Sequence, residues 1–413
     1  MYKIVSLKEL AKISTGFPFD GKKYSNSGIR VVRGENVTVG SLRWDTIKCW
    51  NLEFDQTEKY TLNEGDIVIG MDGSKVGKNR AQIKSSDLPL LLAQRVGLVR
   101  GNENSNQTFL YYMIRSDKFV EYVERIQTGS SVPHISQSQI EEYPVPLVPF
   151  DLQLRIAKVL SALDSKISLN NRINAELEAM AKTIYDYWFV QFDFPFDFSQ
   201  GKPHKNGRRS EPAELKPYKS SGGKMVWNEE LKREIPEGWE VKRLGDYAGI
   251  KKGTLITEKT ANTNGSIKVV SAGIDFSYFH SESNYPENTI TISASGASAG
   301  FINFWREPIF ACDCTTIRGR TTSDTLQILG FLQMRQDFIY SQARGSAQPH
   351  VYPKDIEGLL YVVPPSSLVE RLGDILVPGN EKVAVNLKEN QQLASLRDWL
   401  LPMLMNGQVT VKD

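Results

Sequence analysis

Two histidines, His134 and His350, each follow a proline in a short polar stretch and stand 216 residues apart. A histidine so placed offers a general base or a donor to phosphate. As bases the pair would require two active sites, whereas as loop residues they require only a repeated loop. The second reading is preferred. Lys75, Lys78 and Arg80 crowd a Gly-containing stretch, MDGSKVGKNR from Met71, where backbone and cations can approach a polyanion closely. The stretch that matches it further along, SASGASAG from Ser293, has no basic residue, so Arg306, Arg318 and Arg320 are the candidates to replace them. Lys22 and Lys23, and likewise Lys251 and Lys252, flank a Gly-containing turn near the start of each half. Ser130 and Arg344 fall in the stretches that hold the two histidines. Cations and small polar groups of this kind suit phosphate contact and base-edge reading.

Bond-making chemistry leaves no recognisable trace. Neither Gly-containing stretch has the GxxxxGK[ST] spacing of a phosphate loop, and there is no GxSxG or HExxH. The Asp/Asn-Pro-Pro-aromatic tetrad that would hold an adenine amino group is missing. VPPSS, from Val363, has Ser where the aromatic belongs. A nuclease arrangement of the PD…(D/E)xK type is not evident either. Cys49, Cys312 and Cys314 make no disulfide framework, and Cys312 and Cys314 lack a second cluster at zinc spacing. We therefore expect no catalytic residue and no metal site.

The charge balance, 50 Lys and Arg against 48 Asp and Glu, gives +2. A nucleic-acid face must then be a local patch rather than a global excess. No apolar run approaches the roughly 20 residues of a membrane span, and the N-terminal MYKIVSLKEL lacks a signal-peptide core. A cytoplasmic protein without membrane contact is expected.

The elements that must position these residues are duplicated. GSSVPHISQSQIEE from Gly129 matches GSAQPHVYPKDIEG from Gly345, and the match continues without a gap, through Pro149/Pro365 and Leu160/Leu376 to Leu177/Leu393. YKIVSLKELAKISTG from Tyr2 resembles WEVKRLGDYAGIKKG from Trp239, at an offset of 237. Between these ends the offset drifts, with Gly73 falling on Gly296 and Gly77 on Gly300. Each unit is thus a variable domain followed by a well-matched segment. Short apolar or alternating runs such as GDIVIGMDG, QRVGLVRG, NTITIS and IFACDCTTIRG predict mostly β domains. One helix is predicted over 108–127 and a matching one over 326–340.

The matched segments read as long helices. Asp151 and Ser367, just after Pro149 and Pro365, are expected N-caps. Ile156, Leu160, Leu163, Ile167, Asn170, Asn174, Leu177, Ala181, Ile184 and Trp188 alternate spacings of four and three, as a coiled-coil seam does. Shifted by 216, the seam becomes poorer: Gly379 and Arg397 fall on it, and Pro378-Gly379 is expected to kink or delay the helix. Asn170, Asn174, Asn386 and Asn390 occupy seam positions, where Asn fixes register at a cost in stability. A 36-residue helix would be roughly 54 Å long, enough to hold two domains apart. A Pro/Gly/Lys/Ser-rich connection follows, whose basic run at 202–209 reads as a solvated loop.

The fold class expected is α+β: two mostly-β domains separated by two long antiparallel coiled-coil helices, with a pseudo-twofold internal repeat. The boundaries are 1–148 for the first domain, 149–192 for the first helical region, 193–235 for a linker, 236–364 for the second domain and 365–413 for the second helical region. This order resembles the specificity subunits of Type I restriction-modification systems. The residues that carry the resemblance are the GSSVPHIS and GSAQPHVY lead-ins, the Pro-led helices with their Asn pairs, YDYWFVQFDFP from Tyr185, and IPEGWEVKRLGD from Ile235. The resemblance implies that each domain reads one half of a split site on double-stranded DNA and that the coiled coil acts as a ruler. It implies two modification (methyltransferase) subunits as partners, with restriction (translocase/endonuclease) subunits joining them. S-adenosylmethionine, ATP and Mg would belong to those partners, leaving this chain without cofactor.

Two other readings stay open on the residues alone. One is a self-sufficient methyltransferase or nuclease with an unfamiliar site, which S-adenosylmethionine binding by the isolated chain would favour. The other is a protein-joining scaffold whose β domains bind a non-DNA ligand, which selection from random duplexes would separate from a DNA reader.

Overall fold

Hydrophobic stretches of four to six residues, punctuated by Gly and Asn, form strands because alternate or continuous apolar faces need cover. The computed structural model of the chain describes residues 2–51, 57–129, 131–198, 215–262, 264–345, 348–409 and 411. It divides into two units: Met1–Leu169 with Glu389–Asp413, and Asn170–Lys388. Each takes a part of both long helices.

The first unit contains β1 (Ile4–Ser6), β2 (Ala11–Thr15), β3 (Ile29–Val32), β4 (Cys49–Trp50), α1 (Thr57–Tyr60), β5 (Ile67–Gly70), β6 (Arg80–Gln82), β7 (Leu90–Leu92) and β8 (Val96–Gly101). α2 (Gln107–Arg115), α3 (Asp117–Ile126), α4 (Gln137–Glu141), β9 (Pro144–Pro146) and α5 (Phe150–Tyr185) follow. The strands make an antiparallel sheet in the order β2-β8-β5-β6, a mixed sheet β4-β3-β7 and the pair β1-β9. Phe109, Phe119, Ile67 and Ile69 are fully buried beside Leu160 of α5 and Leu404. Each large side chain contributes about 1.5–3 kcal/mol by leaving water.

The second unit repeats the plan. It opens with β10 (Pro195–Phe196), β11 (Lys216–Pro217), β12 (Met225–Asn228) and β13 (Arg233–Pro236). These short pairs occupy described parts of the expected linker; the basic run at 202–209 lies outside the described residues. Then come β14 (Glu240–Arg243), α6 (Leu244–Tyr247), β15 (Gly249–Lys252), β16 (Ile267–Val270), β17 (Tyr278–His280), β18 (Thr289–Ser293), β19 (Ile302–Trp305), β20 (Ile309–Ala311) and β21 (Cys314–Arg318). α7 (Thr322–Gln333), α8 (Gln336–Ser341), α9 (Pro353–Glu357), β22 (Leu360–Val363) and α10 (Ser366–Met405) complete it. The sheets are β15-β21-β18-β19, β17-β16-β20 and β14-β22, matching the first unit strand for strand. The α+β class and the internal repeat are as the sequence predicts.

Three local expectations are corrected. The helix expected over 108–127 is two, α2 and α3, because Ser116 is extended (φ −66°, ψ 156°) and its hydroxyl donates to the Met113 carbonyl at 2.6 Å. The one expected over 326–340 is likewise α7 and α8, and α7 starts earlier, where Thr321 and Asp324 form a capping box. The long helices begin two residues sooner than the expected caps imply. The carbonyls of Pro149 and Pro365 accept the first helical bonds, from Leu152 and Leu368, so Asp151 and Ser367 sit inside the first turn rather than capping it.

Pro378-Gly379 neither ends nor delays α10, which runs unbroken through it. An interior Pro costs roughly 3 kcal/mol, and the neighbouring contacts offset it. Asn380 is buried, donates to Asn288 Oδ1 at 2.9 Å and accepts from Arg306 Nε at 2.7 Å. Leu177 approaches Gly379 closely enough that a Cβ there would meet it at 3.7 Å.

Within each unit the two helices run antiparallel. In the first, Arg155 contacts Val411 and Asp164 contacts Arg397. In the second, Asn174 contacts Asn386, and Leu177 lies beside Gly379. Every seam position named above is buried or half-buried. Asn170, Asn174 and Asn386 are buried, and Asn390 is half-buried. Among the described residues no helix is long and apolar enough to cross a membrane.

Candidate nucleic-acid interface

β5, buried at every position, ends at Gly70 and delivers the chain into the 71–79 loop. The loop turns because Gly73 and Gly77 take φ of +96° and +79°, the left-handed region that Cβ-bearing residues avoid. A Cβ on Gly77 would also lie 2.8 Å from the Val123 side chain. β18 does the same for the second loop, with Gly296 at φ +77° and Gly300 at +91°. The repeated glycines seen in the sequence are therefore backbone requirements.

Each of these loops is welded to the loop that carries a histidine. In the first unit Gly73 N donates to Pro133 O at 3.0 Å, Ile135 N to Met71 O at 2.9 Å, and Thr128 and His134 exchange main-chain bonds at 3.0 and 2.8 Å. In the second, Gly296 N donates to Pro349 O at 3.0 Å, Val351 N to Ala294 O at 3.0 Å, and Arg344 and His350 exchange bonds at 2.9 and 2.8 Å. Two stretches distant in sequence become one composite surface, built with the same main-chain bonds twice.

The expected site residues divide on burial. Lys75 and His134 are exposed on the first composite surface, and His134 Nε2 is hydrogen-bonded to Thr128 Oγ1 at 3.0 Å. Lys78 is exposed and pairs with Glu124 at 3.4 Å. Ser130 lies outside the described residues. Arg344 is exposed on the second surface, 3.3 Å from Asp355, and His350 stacks on Tyr352. Lys251 and Lys252, both exposed on β15, stand two strands from Thr291 and Ile292 of β18, at the sheet end where the Gly/Ser loop emerges. Lys22 and Lys23 are exposed in a 3-10 turn, Gly21–Lys23, beyond the matching strand β2, so the two lysine pairs are not structural counterparts. Arg320 is exposed in the turn before α7.

Three arginines expected at DNA turn inward. Arg80 is 5% exposed. Its guanidinium donates to the carbonyls of Gly77 and Arg115, and burial pulls its pKa down to about 10. It fastens the loop to the C-terminal end of α2, where carbonyls need donors. Arg306 is held by Glu178 at 2.9 Å and Asn380, and burial lowers its pKa. Arg318 donates to the carbonyls of Pro286 and Glu287 and to Thr289 Oγ1, which ties β21 to the start of β18. Arg100, ending β8 as Arg318 ends β21, grips Asp66 with two bonds, 2.7 and 2.6 Å. Of the three inward arginines, Arg80 alone bonds to a composite-surface loop; Arg306 bonds to the long helices and Arg318 to the far end of β18.

The seam arginine, Arg397, also has a partner. Its Nη1 lies 2.6 Å from Asp164, which accepts as well from Arg115 and from the Tyr112 hydroxyl, each at 2.7 Å. Tyr112 is correspondingly pushed far above the ordinary tyrosine pKa by burial and that carboxylate.

Two residues that the sequence reading passed over stand on the first surface. Arg95 pairs with Asp72 at 3.2 Å, and its carbonyl accepts from Met71 N. The signal was available: LVRG (98–101) and TIRG (316–319) end matching strands, and their offset sets Arg95 on Asp313. In the second unit Ser295 Oγ donates to Asp313 Oδ2 at 2.7 Å. Among the described residues no group of three or more His, Cys, Asp or Glu side chains is placed to hold a metal ion.

The chain is 27% identical over 331 residues to the Type I restriction enzyme MjaIX specificity subunit of Methanocaldococcus jannaschii, covering 74% of this chain and 69% of that protein. It is 22% identical over 416 residues to the HindI specificity subunit of Haemophilus influenzae, covering 85% and 88%. In fold it matches the S subunit of a Type I restriction-modification system from M. genitalium, with a TM-score of 0.59, 17% identity, and 98% and 96% of the two chains covered. The family model described as "Type I restriction modification DNA specificity domain" matches residues 1–179 and again 236–393, so the chain belongs to that family and carries its domain twice.

Proposed function

We propose that this specificity subunit reads double-stranded DNA with its two composite loop surfaces, one half of a split site each, and that the antiparallel helices set the separation of the halves. The observation that carries this reading is the same main-chain weld, Gly73 to Pro133 and Gly296 to Pro349, in both units. It makes a stiff platform from loops whose side chains otherwise differ, as expected if the two half-sites differ in sequence. A rigid reader of two half-sites fixes spacing by geometry.

The helices also offer the docking surface for two modification subunits, with restriction subunits joining the assembly. In this reading methylation from S-adenosylmethionine and Mg- and ATP-dependent cleavage belong to those partners, and the chain works without a catalytic centre of its own, in the cytoplasm. The sequence supports this by lacking the phosphate-loop, nucleophile-elbow and Asn/Asp-Pro-Pro-aromatic patterns.

The test is selection from random duplexes by the chain assembled with modification subunits. A bipartite motif of fixed spacing is expected; no enrichment would sink the reading. Lys75→Ala with Lys78→Ala should lower affinity for all sequences alike and shallow the salt dependence by about one to two charges.

A further inference from the structure

Arg95 sits in the turn between β7 and β8 with φ +64°. Left-handed backbone is costly for a Cβ-bearing residue, and glycine or asparagine is the ordinary solution. Main-chain bonds hold the turn without help from the side chain: Gln94 N donates to Phe17 O at 2.8 Å, and Met71 N to Arg95 O at 3.1 Å. The side chain itself is 73% exposed, and among the described residues it makes an ion pair with Asp72 at 3.2 Å. Packing therefore does not explain an arginine here. Strain kept at an exposed position, over-determined by its surroundings, points to a task for the side chain.

Asp72 is the second half of the arrangement. Its side chain is 27% exposed, and it precedes Gly73, whose amide is fixed on Pro133. Asp72 meets only one Nη of the guanidinium, leaving the planar fork with further donors on its outer edge. That fork matches O6 and N7 of guanine, the commonest specific contact of arginine with a base. In the second unit the corresponding carbonyl, of Asp313, accepts from Ala294 N at 3.4 Å, and the side chains at the two positions are again bonded, Ser295 to Asp313. The charge at the position is reversed. A carboxylate only accepts and is repelled by phosphate, so on a DNA-facing surface it suits the exocyclic amino group of a base.

Resting on the DNA reading above, we propose that Arg95, positioned by Asp72, reads a guanine in the first half-site. Asp313, positioned by Ser295, accepts from an adenine or cytosine amino group in the second. One structural position thereby gives opposite hydrogen-bonding chemistry in the two halves.

Selection from random duplexes by the full chain with modification subunits tests this on wild type, Arg95→Gly, Asp72→Asn and Asp313→Asn. Glycine suits φ +64°, so Arg95→Gly should fold at least as stably. It should lose preference at a single G·C pair of one half-site by roughly 5- to 150-fold, leaving the other positions intact. Asp72→Asn should weaken the same preference, and Asp313→Asn should change one position of the other half-site only. Unchanged preferences in both halves would overturn the proposal. So would a uniform loss over all sequences with the salt slope reduced by about one, which would make Arg95 a phosphate contact. A wild-type chain that enriches no motif would instead overturn the DNA reading on which the proposal rests.

Discussion

Asn386 donates from Nδ2 to Oδ1 of Asn174 across 2.8 Å, between two helices at seam positions that are both buried. The complementary atoms, Asn174 Nδ2 and Asn386 Oδ1, have no hydrogen-bond partner among the described residues. The pair therefore specifies alignment while one buried donor and one buried acceptor go unmet, which costs stability.

Replacing one Asn by Leu strands the other. Asn174→Leu or Asn386→Leu alone should destabilise the second unit by about 1–3 kcal/mol. The double replacement should be neutral or stabilising by about 1–2 kcal/mol, since an apolar pair of similar size asks for no hydrogen bonds. Calorimetry of the three variants reads this directly. Singles that cost no more than the double would show that the bond does not couple the helices.

Asp164 joins three donors in the first unit: Arg397 of α10, and Arg115 and Tyr112 of α2. Arg397 is 9% exposed, so removing the carboxylate leaves a buried cation held by the exposed Asp398, 2.8 Å away. Asp164→Ala should cost about 3–5 kcal/mol in denaturant unfolding. Asp164→Asn, which keeps an acceptor, should cost less. Equal losses in the two variants would mean that charge is irrelevant to the junction.

The Asn and Arg397 positions show how far the sequence could be read. Heptad spacing located the seam because burial along a helix follows period 3.5, and no tertiary knowledge is needed for that. It marked Arg397 as a defect because its partner, Asp164, lies 233 residues away in the chain. The duplicated Gly73/Gly296 and Pro133/Pro349 were visible as repeats, yet nothing in linear order says that a glycine loop and a histidine loop share hydrogen bonds. Cationic residue type failed most. Arg80, Arg306 and Arg318 have the composition of DNA contacts and the bonding of struts, whereas Arg95 lay inside the run QRVGLVRG, read only as a strand. Helix ends at Ser116 and Thr321 were missed for a local reason: a single Ser or Thr accepts or donates one bond and stops a run whose apolar pattern continues.

Arg80 gives a test of that revised role. Its two carbonyl partners, Gly77 and Arg115, would be left without a donor in Arg80→Ala. A loss of about 2–4 kcal/mol is expected. Lysine cannot reproduce the fork, so Arg80→Lys should recover only part of it. Hydrogen exchange at the amides of 71–79 should rise in both variants, in free protein and without DNA. Normal protection in Arg80→Ala would return Arg80 to the list of exposed contacts.

Cys314 supplies a dependence on alkaline pH. It is fully buried in β21, and burial pushes its thiol up to about 12 from the ordinary 9. Below pH 9 both folded and unfolded chains keep the proton, and the full stability is present. Between 9 and 12 the unfolded chain releases a proton that the folded chain retains, so stability falls as pH rises through this window. Three units correspond to about 4 kcal/mol at most. Buried tyrosines contribute a slope of the same sign, so the measurement is the difference between wild type and Cys314→Ala in urea unfolding at pH 8, 9, 10 and 11. The variant should lose less stability per pH unit, and iodoacetamide at pH 9 should label Cys314 far more slowly than a free thiol. Parallel slopes, or labelling at the rate of a free thiol, would mean that the sulfur reaches water in the folded chain.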